Sequence, residues 1–591
     1  MQENAFENSD LLSQHPLWFY IRKHKRHFNL GMFFLVITNV ADSIYPLILK
    51  RGIDEMTSNE KMSSLGKTAL MFFAAMATLA VTRYSWRIFF SKYHTLAADD
   101  LRNRVFRHLT TMGPQFFKLN PIGELMSLMT NDIQSFRQGI GAGVLILVDG
   151  LCNILLILPL MIWLEPRWTF QTLILLPVVP LLIWKVTKLI FDRYKIQQDH
   201  LSALSGFSQE TVAGVRVIKS FAHESNQLSA YNRLSKTFED ACNQVASVDS
   251  LFGPVMQFGV ASGTVILLFV AGPDVLSGAA TIGTLVAFQR YITKMVWPMT
   301  ALGLGISQYQ KGMASFSRVK NILQQKTDIP DHGTIEIKNF EKLEVRNLTF
   351  QFPEASAPTL KNLNFEILAG QKIGLVGPVG SGKTTLLHLL NRLYPAPKNS
   401  VFINGLEIES ITQRSLHLNL ALVPQEAFLF SESISENMKM GRELSVEPEE
   451  ILHWAQVVDI KSEVDELPHQ FNSELGERGV NLSGGQKQRL TIARGLMTRA
   501  PMIMLDDSLS AVDHNTEKTI QSHLGDQLNG RKTQLIVTHR LSALEDADQI
   551  FVLNQGSIEA QGTHAQLIKS CLTYQTIARI QGYLPSEVPH E

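Results

Sequence analysis

Long apolar runs in the first half of the chain restrict its fold more than any other feature of the sequence. A helix that crosses a bilayer needs about 20 mostly apolar residues. The run LILVDGLCNILLILPLMIWL, which ends at Leu164, has too little polar surface for a soluble amphipathic helix. The first apolar run along the chain, which begins at Phe28, is too long for the apolar part of a signal peptide and lacks a small-residue cleavage site. We therefore expect it to stay in the membrane. We predict six spans, over Phe28–Leu49, Thr68–Phe90, Gly143–Leu164, Thr169–Lys188, Phe252–Gly272 and Ile282–Leu304.

The connections between these spans alternate in length. Those after the first, third and fifth spans are short, whereas those after the second and fourth, roughly 91–142 and 189–250, are long, polar and helix-like. Basic residues gather in the long loops and before the first span, so the positive-inside tendency predicts that the N-terminus, both long loops and the C-terminus are cytoplasmic. Residues about 15–28 mix aromatic and basic side chains, which predicts a helix lying on the inner leaflet, with an unstructured leader as the alternative.

The composition excludes one class of protein and marks a second domain. The chain has 54 Lys and Arg against 54 Asp and Glu, whereas a bulk nucleic-acid binder should be basic. Its three Cys form no C-x-x-C pair, which indicates neither a disulfide framework nor a structural zinc site. After a turn at Pro330–Gly333, short β-branched strands alternate with helical segments. We therefore predict a multidomain chain with an all-α transmembrane domain of six helices over 1–325, a linker over 326–342 and an α/β domain over 343–591.

The segment GPVGSGKT follows a predicted strand and opens a predicted helix, which is the context of a phosphate-binding loop (P-loop). Lys383 would bring a positive charge to the β- and γ-phosphates, and the Thr384 hydroxyl can ligate Mg²⁺. Asp506 ends an apolar strand about 120 residues later, the position of the Mg²⁺ partner in such enzymes. The predicted ATP ligands in this segment are Gly377, Pro378, Val379, Gly380, Ser381, Gly382, Lys383, Thr384 and Thr385.

Further motifs follow in a fixed order. LSGGQ at Leu482–Gln486, followed by KQRLTIAR, resembles the signature segment of ATP-binding cassette (ABC) proteins. The segments NPIGELMSLMTNDI and QETVAGVRVIKSFAHE in the long loops, and SELGERG at 473–479, resemble those of multidrug-type exporters. This resemblance implies that the second domain is an ABC-type nucleotide-binding domain. It also implies that Phe352 stacks on adenine, that Gln425 acts in catalysis and on Mg²⁺, that Ser483, Gly484, Gly485, Gln486 and Asp513 bind nucleotide, and that His539 is the switch histidine.

A composite ATP site follows from the same pattern. The P-loop and the start of the signature helix are both suited to bind an anion, and the resemblance implies that they meet on one ATP from opposite subunits. One chain carries one of each, so we expect a second half-transporter chain as partner. The resemblance further implies an ATPase that drives export of amphipathic or hydrophobic molecules (drug, lipid or peptide) by alternating access across a bacterial inner membrane.

Asp507 departs from the family pattern, which has glutamate as the general base after the Mg²⁺ aspartate. The shorter side chain places its carboxylate roughly 1–1.5 Å farther from the attacking water, and a misplacement of about 1 Å can cost about 10²-fold in rate. We therefore expect weak hydrolysis at the site built on this chain's own P-loop. Two interpretations follow: the degenerate half of a heterodimer, which we favour, or a slow homodimer. A third is that a shifted loop lets Asp507 act like glutamate.

The transported molecule has no code in the sequence. A lipid flippase, an ATP-gated channel and a regulatory ATP-binding membrane protein remain alternatives to a drug exporter. Asp42, about 21 Å into the first span at 1.5 Å per residue, is the best candidate for a charge that faces a substrate cavity. Arg83, Arg87 and Arg290 are candidate partners, although we expect these arginines and Asp149 to lie near the ends of their spans.

Overall fold

The computed structural model describes residues 11–58, 62–173, 178–440, 442, 446–476, 479–528 and 532–584. They divide into two compact units. The first, here called the helical unit, comprises Met1–Thr110 and Ile122–Gln325, and the second, here called the α/β unit, comprises Thr111–Pro121 and Lys326–Glu591. The short segment Thr111–Pro121 thus belongs to the α/β unit, although it lies between two parts of the helical unit in the sequence.

Long helices build the helical unit. Its α3 has 48 residues, which at 1.5 Å per residue makes it about 72 Å long, so it continues well beyond any bilayer. The predicted long loop after the second span therefore begins as a continuation of the same helix. The helices are α1 (Pro16–Lys23), α2 (Lys25–Thr57), α3 (Met62–Leu109), α4 (Pro114–Leu119, in the α/β unit), α5 (Ile122–Ser127), α6 (Ile133–Gln138), α7 (Val144–Leu164), α8 (Pro166–Leu173), α9 (Val178–Ala213), α10 (Val215–Ser220), α11 (Glu224–Asp249), α12 (Phe252–Leu276) and α13 (Ile282–Gln324), with π-helical turns at Leu128–Asp132 and Gly139–Gly143.

Four helices in the described part of the chain are long and apolar enough to cross a membrane. They are Lys25–Thr57, Ser64–Leu109, Ile122–Leu164 and Glu224–Leu276, and they contain the predicted first, second, third and fifth spans. The predicted fourth span falls partly on residues 174–177, outside the described residues. The predicted sixth span lies within α13, where Gln289, Arg290 and Lys294 interrupt the apolar residues.

Two glycines let α13 approach the π-helical turn before α7. A Cβ added at Gly312 would lie 2.7 Å from the Cα of Gly139, and a Cβ at Gly139 would lie 2.7 Å from the Cα of Gly312. Neither backbone can yield without moving its helix, so each position requires the absence of a side chain. The same helix also contains Gly303, where an added Cβ would meet no atom within 4 Å beyond the adjoining turns of its own helix.

We expect Gly312→Ala to destabilise the helical unit by about 1–3 kcal/mol, because the added methyl overpacks a backbone contact. Alanine is otherwise the better helix former by up to about 1 kcal/mol. Gly303→Ala is the matched control and should leave the thermal unfolding midpoint unchanged or raise it. The midpoints of both variants in a nonionic detergent test this; equal midpoints would show that the contact between Gly139 and Gly312 carries no packing constraint.

Two sheets and surrounding helices form the α/β unit. The antiparallel sheet has the order β2-β1-β4-β5, and the six-stranded sheet has the order β10-β9-β3-β8-β7-β6, in which all neighbours except β10 and β9 are parallel. The strands are β1 (Lys342–Phe350), β2 (Leu360–Leu368), β3 (Lys372–Val376), β4 (Val401–Ile403), β5 (Leu406–Glu407), β6 (Leu420–Val423), β7 (Met502–Asp506), β8 (Thr533–Val537), β9 (Gln549–Asn554) and β10 (Ser557–Gly562). The helices are α14 (Lys383–Leu390), α15 (Gln413–Asn419), α16 (Ile434–Lys439), α17 (Pro448–Val457), α18 (Lys461–Asp465), α19 (Gly484–Met497), α20 (His514–Leu528), α21 (His564–Ser570) and α22 (Leu572–Ile580).

The central strands of the larger sheet are apolar along their length. Every residue of β7 is buried, as are the last four residues of β3, which is the pattern of parallel strands covered on both faces. One continuous core runs from β3 through α14 to the antiparallel sheet, and a second joins β7 to α16, α17 and α19. The strands that precede the predicted site residues are therefore rigidly held.

Candidate functional site

The carboxyl ends of neighbouring parallel strands form the base of the candidate nucleotide site. Since β3, β8, β7 and β6 are adjacent in that order, the segments that follow them meet at one edge of the sheet, where ligands bind in open α/β folds. A cavity of about 610 Å³ opens there. Its lining comprises Thr359, Val379, Gly380, Gly382, Lys383, Thr384, Thr385, Gln425, Asp506, Asp507, Val537 and His539.

The P-loop has the backbone that its glycines predict. Gly380 and Gly382 adopt φ angles of 80° and 103°, a left-handed region that favours glycine. A side chain at Gly377 would clash with the carbonyl oxygen of Leu553. The Ser381 hydroxyl is buried and has no hydrogen-bond partner among the described residues. The loop thus leaves polar groups available where α14 begins, and a helix N-terminus favours an anion such as phosphate.

Lys383 is buried at the start of α14, and its Nζ donates to the carbonyl oxygens of Gly377 and Pro378, each at 2.9 Å. Burial lowers the pKa of this ammonium group, and the nearby carboxylates of Asp506 and Asp507 raise it in part. A bound phosphate would supply the negative charge that balances this ammonium group. The two carbonyl dipoles stabilise the ammonium group only in part. The side chain is therefore positioned for polyphosphate.

Asp506 lies beside the hydroxyl of Thr384. Burial raises the pKa of this carboxyl group, while its hydrogen bond with Thr384 lowers it. A carboxylate, a hydroxyl and the Gln425 amide oxygen on one cavity wall are the hard oxygen ligands that Mg²⁺ prefers, with phosphate oxygens completing its shell. Within the described ranges, no group of three or more His, Cys, Asp or Glu could hold a metal on its own. The chain's residues therefore fit a magnesium ion that arrives with a nucleotide.

Asp507 lies on the same wall, directly after β7. Its backbone N–H donates to the carbonyl oxygen of Val537 at 2.8 Å, and its φ is 43°, in the left-handed region. Asp occupies that region more readily than residues with longer side chains. The hydrogen bond to β8 holds this backbone conformation.

His539 follows β8, and a residue from the last described helix holds its backbone. Gln581, at the end of α22, donates from Nε2 to the His539 carbonyl oxygen and accepts from the Leu541 N–H at 2.8 Å. Arg540, between them, forms an ion pair with Glu517 and reaches the carbonyl oxygens of Ser510 and Val512. The sequence contains no local motif that would have identified Gln581, because its partners lie about 40 residues away and only the fold brings them together.

We expect Gln581→Ala to lower the turnover number for ATP by about tenfold while the KM changes little. The histidine segment would lose both bonds that position it, and a shift on the order of 1 Å suffices for such a loss. Gln581→Glu should be no better, because a carboxylate cannot donate to the His539 carbonyl. Thr576→Ala on the same helix, whose hydroxyl bonds only within that helix, is the control. A KM that rises with an unchanged turnover number would assign Gln581 to nucleotide binding instead.

The signature segment lies outside the cavity. Ser483 caps α19: its Oγ accepts from the Gln486 N–H at 3.3 Å, and the Gln486 Oε1 accepts from the Ser483 N–H at 2.7 Å. Gly484 and Gly485 pack against Ala511, where a Cβ at Gly485 would lie 3.1 Å from its carbonyl oxygen. The N-terminus of α19 is therefore rigid, and its residues do not line the cavity at the P-loop of the same chain.

Two other residues predicted to contact nucleotide have partners of their own. The Asp513 carboxylate accepts from the N–H groups of Asn515 and Thr516 and so caps the start of α20; these bonds lower its pKa. Phe352 packs edge-on against Phe350 and Tyr394, with ring centroids 5.0 and 5.3 Å apart, and the Lys118 ammonium lies 5.7 Å from its centroid. Neither lines the cavity. The exporter segment at 473–479 is described except for residues 477 and 478.

A second cavity, of about 410 Å³, lies among the helices of the helical unit, and Asp42 is on its wall. Asp42 accepts from Lys294 at 2.6 Å and from Arg83 at 3.3 Å. Arg83 was a predicted candidate partner, whereas Lys294, the closer one, was missed, although it lies one helical turn beyond Arg290. Asp149 and Arg87, expected near the ends of their spans, line the same cavity.

Family models match both halves of the chain. The family model for the ABC transporter transmembrane region matches residues 28–299, and that for ABC transporter matches residues 360–510. The chain is 32% identical to the multidrug resistance-like ATP-binding protein MdlA of Escherichia coli over 95% of both chains. It is 29% identical to the ATP-dependent lipid A-core flippase of Aliivibrio fischeri over 96% of this chain and 97% of that protein.

The fold is shared with a solved structure described as a bacterial Atm1-family ABC exporter with ATP bound. The TM-score is 0.77 at 23% identity, and the match covers 95% of this chain and 99% of the other. An all-α transmembrane domain followed by an α/β nucleotide-binding domain is thereby confirmed.

Proposed function

This chain belongs to the ABC transporter family as a multi-pass membrane ATPase coupled to transport, and we propose that it is the degenerate-site subunit of a heterodimeric exporter. ABC exporters work as dimers of half-transporters, and this chain carries one P-loop and one signature segment. The observation that carries the heterodimer is Asp507, the short carboxylate in a cavity that also contains Lys383, Thr384, Gln425, Asp506 and His539.

The chain's own site would bind ATP well and hydrolyse it slowly. Lys383 and the N–H groups at the start of α14 hold the phosphates, and His539 faces the same cavity from β8. Thr384, Gln425 and Asp506 would hold Mg²⁺, which when bound neutralises charge on the phosphates. Asp507 would accept a proton from the attacking water, but from too far back to align it well. ATP would therefore stay longer at this site than at the partner's.

The intact signature segment has the opposite role. Ser483, Gly484 and Gly485 open a rigid helix whose N–H groups suit an anion, and they lie outside the cavity of their own chain. We place them on the γ-phosphate bound at the P-loop of the partner, where a glutamate would supply the general base. Asp513, which caps the neighbouring helix, would lie beside that nucleotide.

We assign the transport cycle to alternating access. Closure of two nucleotide-binding domains on ATP would reorient the transmembrane helices, and hydrolysis would reset them. The proposed location is a bacterial inner membrane, with both termini and the nucleotide-binding domain in the cytoplasm. The proposed boundaries are 1–325 for the transmembrane domain, 326–342 for the linker and 343–591 for the nucleotide-binding domain. The substrates would be amphipathic or hydrophobic drugs, lipids or peptides.

Two observations bear on the substrate class. The similarity to MdlA favours a drug-like substrate, and the similarity to a lipid A-core flippase favours a lipid. A homodimer of this chain remains the second candidate assembly, because each chain has one of every motif that a composite site needs.

Uptake into inside-out vesicles tests the proposal. With ATP present, vesicles that contain the transporter should accumulate a fluorescent amphipathic dye against its gradient, and a lipid flippase should instead move a labelled lipid between leaflets. A protein that only equilibrates the dye is a gate rather than a pump and would overturn export. Vesicles with Lys383→Ala, which lack the phosphate-binding charge, are the control for ATP dependence at this chain's own site.

A further inference from the structure

Four helices of the helical unit surround a charged cavity in the predicted membrane-spanning part of the chain. Its wall combines residues of α2, α3, α7 and α13, so it lies where the first, second, third and sixth predicted spans come together. Three basic and two acidic side chains line it, which leaves one positive charge in excess. These charged residues are Asp42, Arg83, Arg87, Asp149 and Lys294.

The carboxylates of this cavity are already occupied. Asp42 accepts a hydrogen bond from Lys294 on one carboxylate oxygen, at 2.6 Å, and one from Arg83 on the other, at 3.3 Å. Asp149 accepts a hydrogen bond from the Asn39 amide on one carboxylate oxygen, at 3.0 Å, and one from the Trp297 indole N–H on the other, at 3.4 Å. Every carboxylate oxygen in this cavity therefore already has a donor from the protein, with which a cationic ligand would have to compete.

The donors, in contrast, are in surplus. Arg87 has no carboxylate partner among the residues that the structure describes, and its guanidinium lies 5.5 Å from the ring centroid of Trp86. The indole Nε1 of Trp86 is buried and lacks an acceptor in the described part of the chain. Arg83 uses one of its nitrogens on Asp42 and is half exposed. An unsatisfied buried donor costs free energy that a ligand with acceptor oxygens would recover.

We propose that this cavity binds the anionic group of an amphipathic molecule, a carboxylate, phosphate or sulfonate, with Arg87 and the Trp86 N–H as its principal donors. Leu35, Leu145 and Ile146 line the same wall and would contact the apolar portion. This inference rests on the proposed export function only in taking the bound molecule to be the substrate. It narrows that function from amphipathic molecules in general to those with a negative charge.

Binding without nucleotide tests the site separately from transport. Full-length protein in nanodiscs of uncharged phosphatidylcholine would be titrated with decyl phosphate, decyl sulfonate and decyltrimethylammonium, with binding followed by calorimetry. We expect the two anions to bind and the cation, which has the same chain, not to compete. Equal binding of all three would show that only the apolar wall acts and would overturn the proposal.

Substitution of Arg87 identifies the donor. Arg87→Gln should weaken binding of decyl phosphate by about tenfold, the loss of one hydrogen bond to a charged group, and Arg87→Lys should recover part of it. Arg290→Gln, which removes a basic residue of α13 that does not line the cavity, is the matched control and should change binding less than twofold. Unchanged binding in Arg87→Gln would overturn the assignment.

ATP binding by each variant reports whether the variant is folded. A protein that binds the anions yet fails in the vesicle assay would contradict export without contradicting this site.

Discussion

Asp507→Glu should raise the ATP turnover of the purified chain on the order of 10-fold to 100-fold. The longer side chain would restore the reach of roughly 1 Å that a general base needs toward the attacking water. The lower end of this range of turnover allows for backbone strain. Position 507 has a φ of 43°, a conformation that glutamate adopts less readily than aspartate. Strain there would cost part of the gain.

Two further measurements decide whether Asp507 acts as a weak general base. Asp507→Asn keeps the size of the side chain and removes its charge, so it should lower the residual turnover of the unmodified chain if Asp507 acts as a weak base. The KM for ATP should change little in either variant, because the phosphates are held by the P-loop. Rapid turnover by the unmodified chain alone would contradict the degenerate site and favour a competent homodimer.

The candidate nucleotide site could be predicted because its residues come in short motifs. A P-loop needs its glycines, Lys383 and Thr384 in one contiguous segment, and Asp506 must end a parallel strand of the same sheet. The parallel order β3-β8-β7-β6 then brings Gln425 and His539 to the same edge. The site can be recognised from short stretches of sequence because backbone groups of consecutive residues form much of it.

The remaining features depend on contacts between distant segments. Gln581 reaches the histidine segment only because α22 packs behind it, and any exposed glutamine near the end of the chain looks the same in the sequence. Lys294 pairs with Asp42 across 252 residues, and the register of α13 against α2 decides which of its basic residues does so. The apolar runs likewise predicted spans but not the ends of the helices, since α3 continues as a helix past the predicted end of its span.

Mixed dimers of two inactive variants should recover about half of the ATP turnover of the parent dimer. In an Asp507→Glu background, one copy would carry Lys383→Ala and an intact signature, and the other would carry Gly484→Asp and an intact P-loop. Each variant alone should be inactive, because Lys383→Ala removes the charge on the phosphates and Gly484→Asp places a carboxylate at the anion-binding end of α19. A mixed dimer contains one complete site, built from the P-loop of one copy and the signature of the other.

The recovery follows from the position of the signature outside the cavity of its own chain. If both elements acted on the same nucleotide within one chain, each copy in the mixture would remain defective and no turnover would return. Two affinity tags, purified in succession, isolate the mixed dimers, and their turnover is compared with that of doubly tagged parent dimers. Absence of recovery in dimers that contain both copies would contradict the composite site. Recovery would show that the LSGGQ of this chain can serve a P-loop in trans, which is the role that we assign to it beside a partner with a glutamate base.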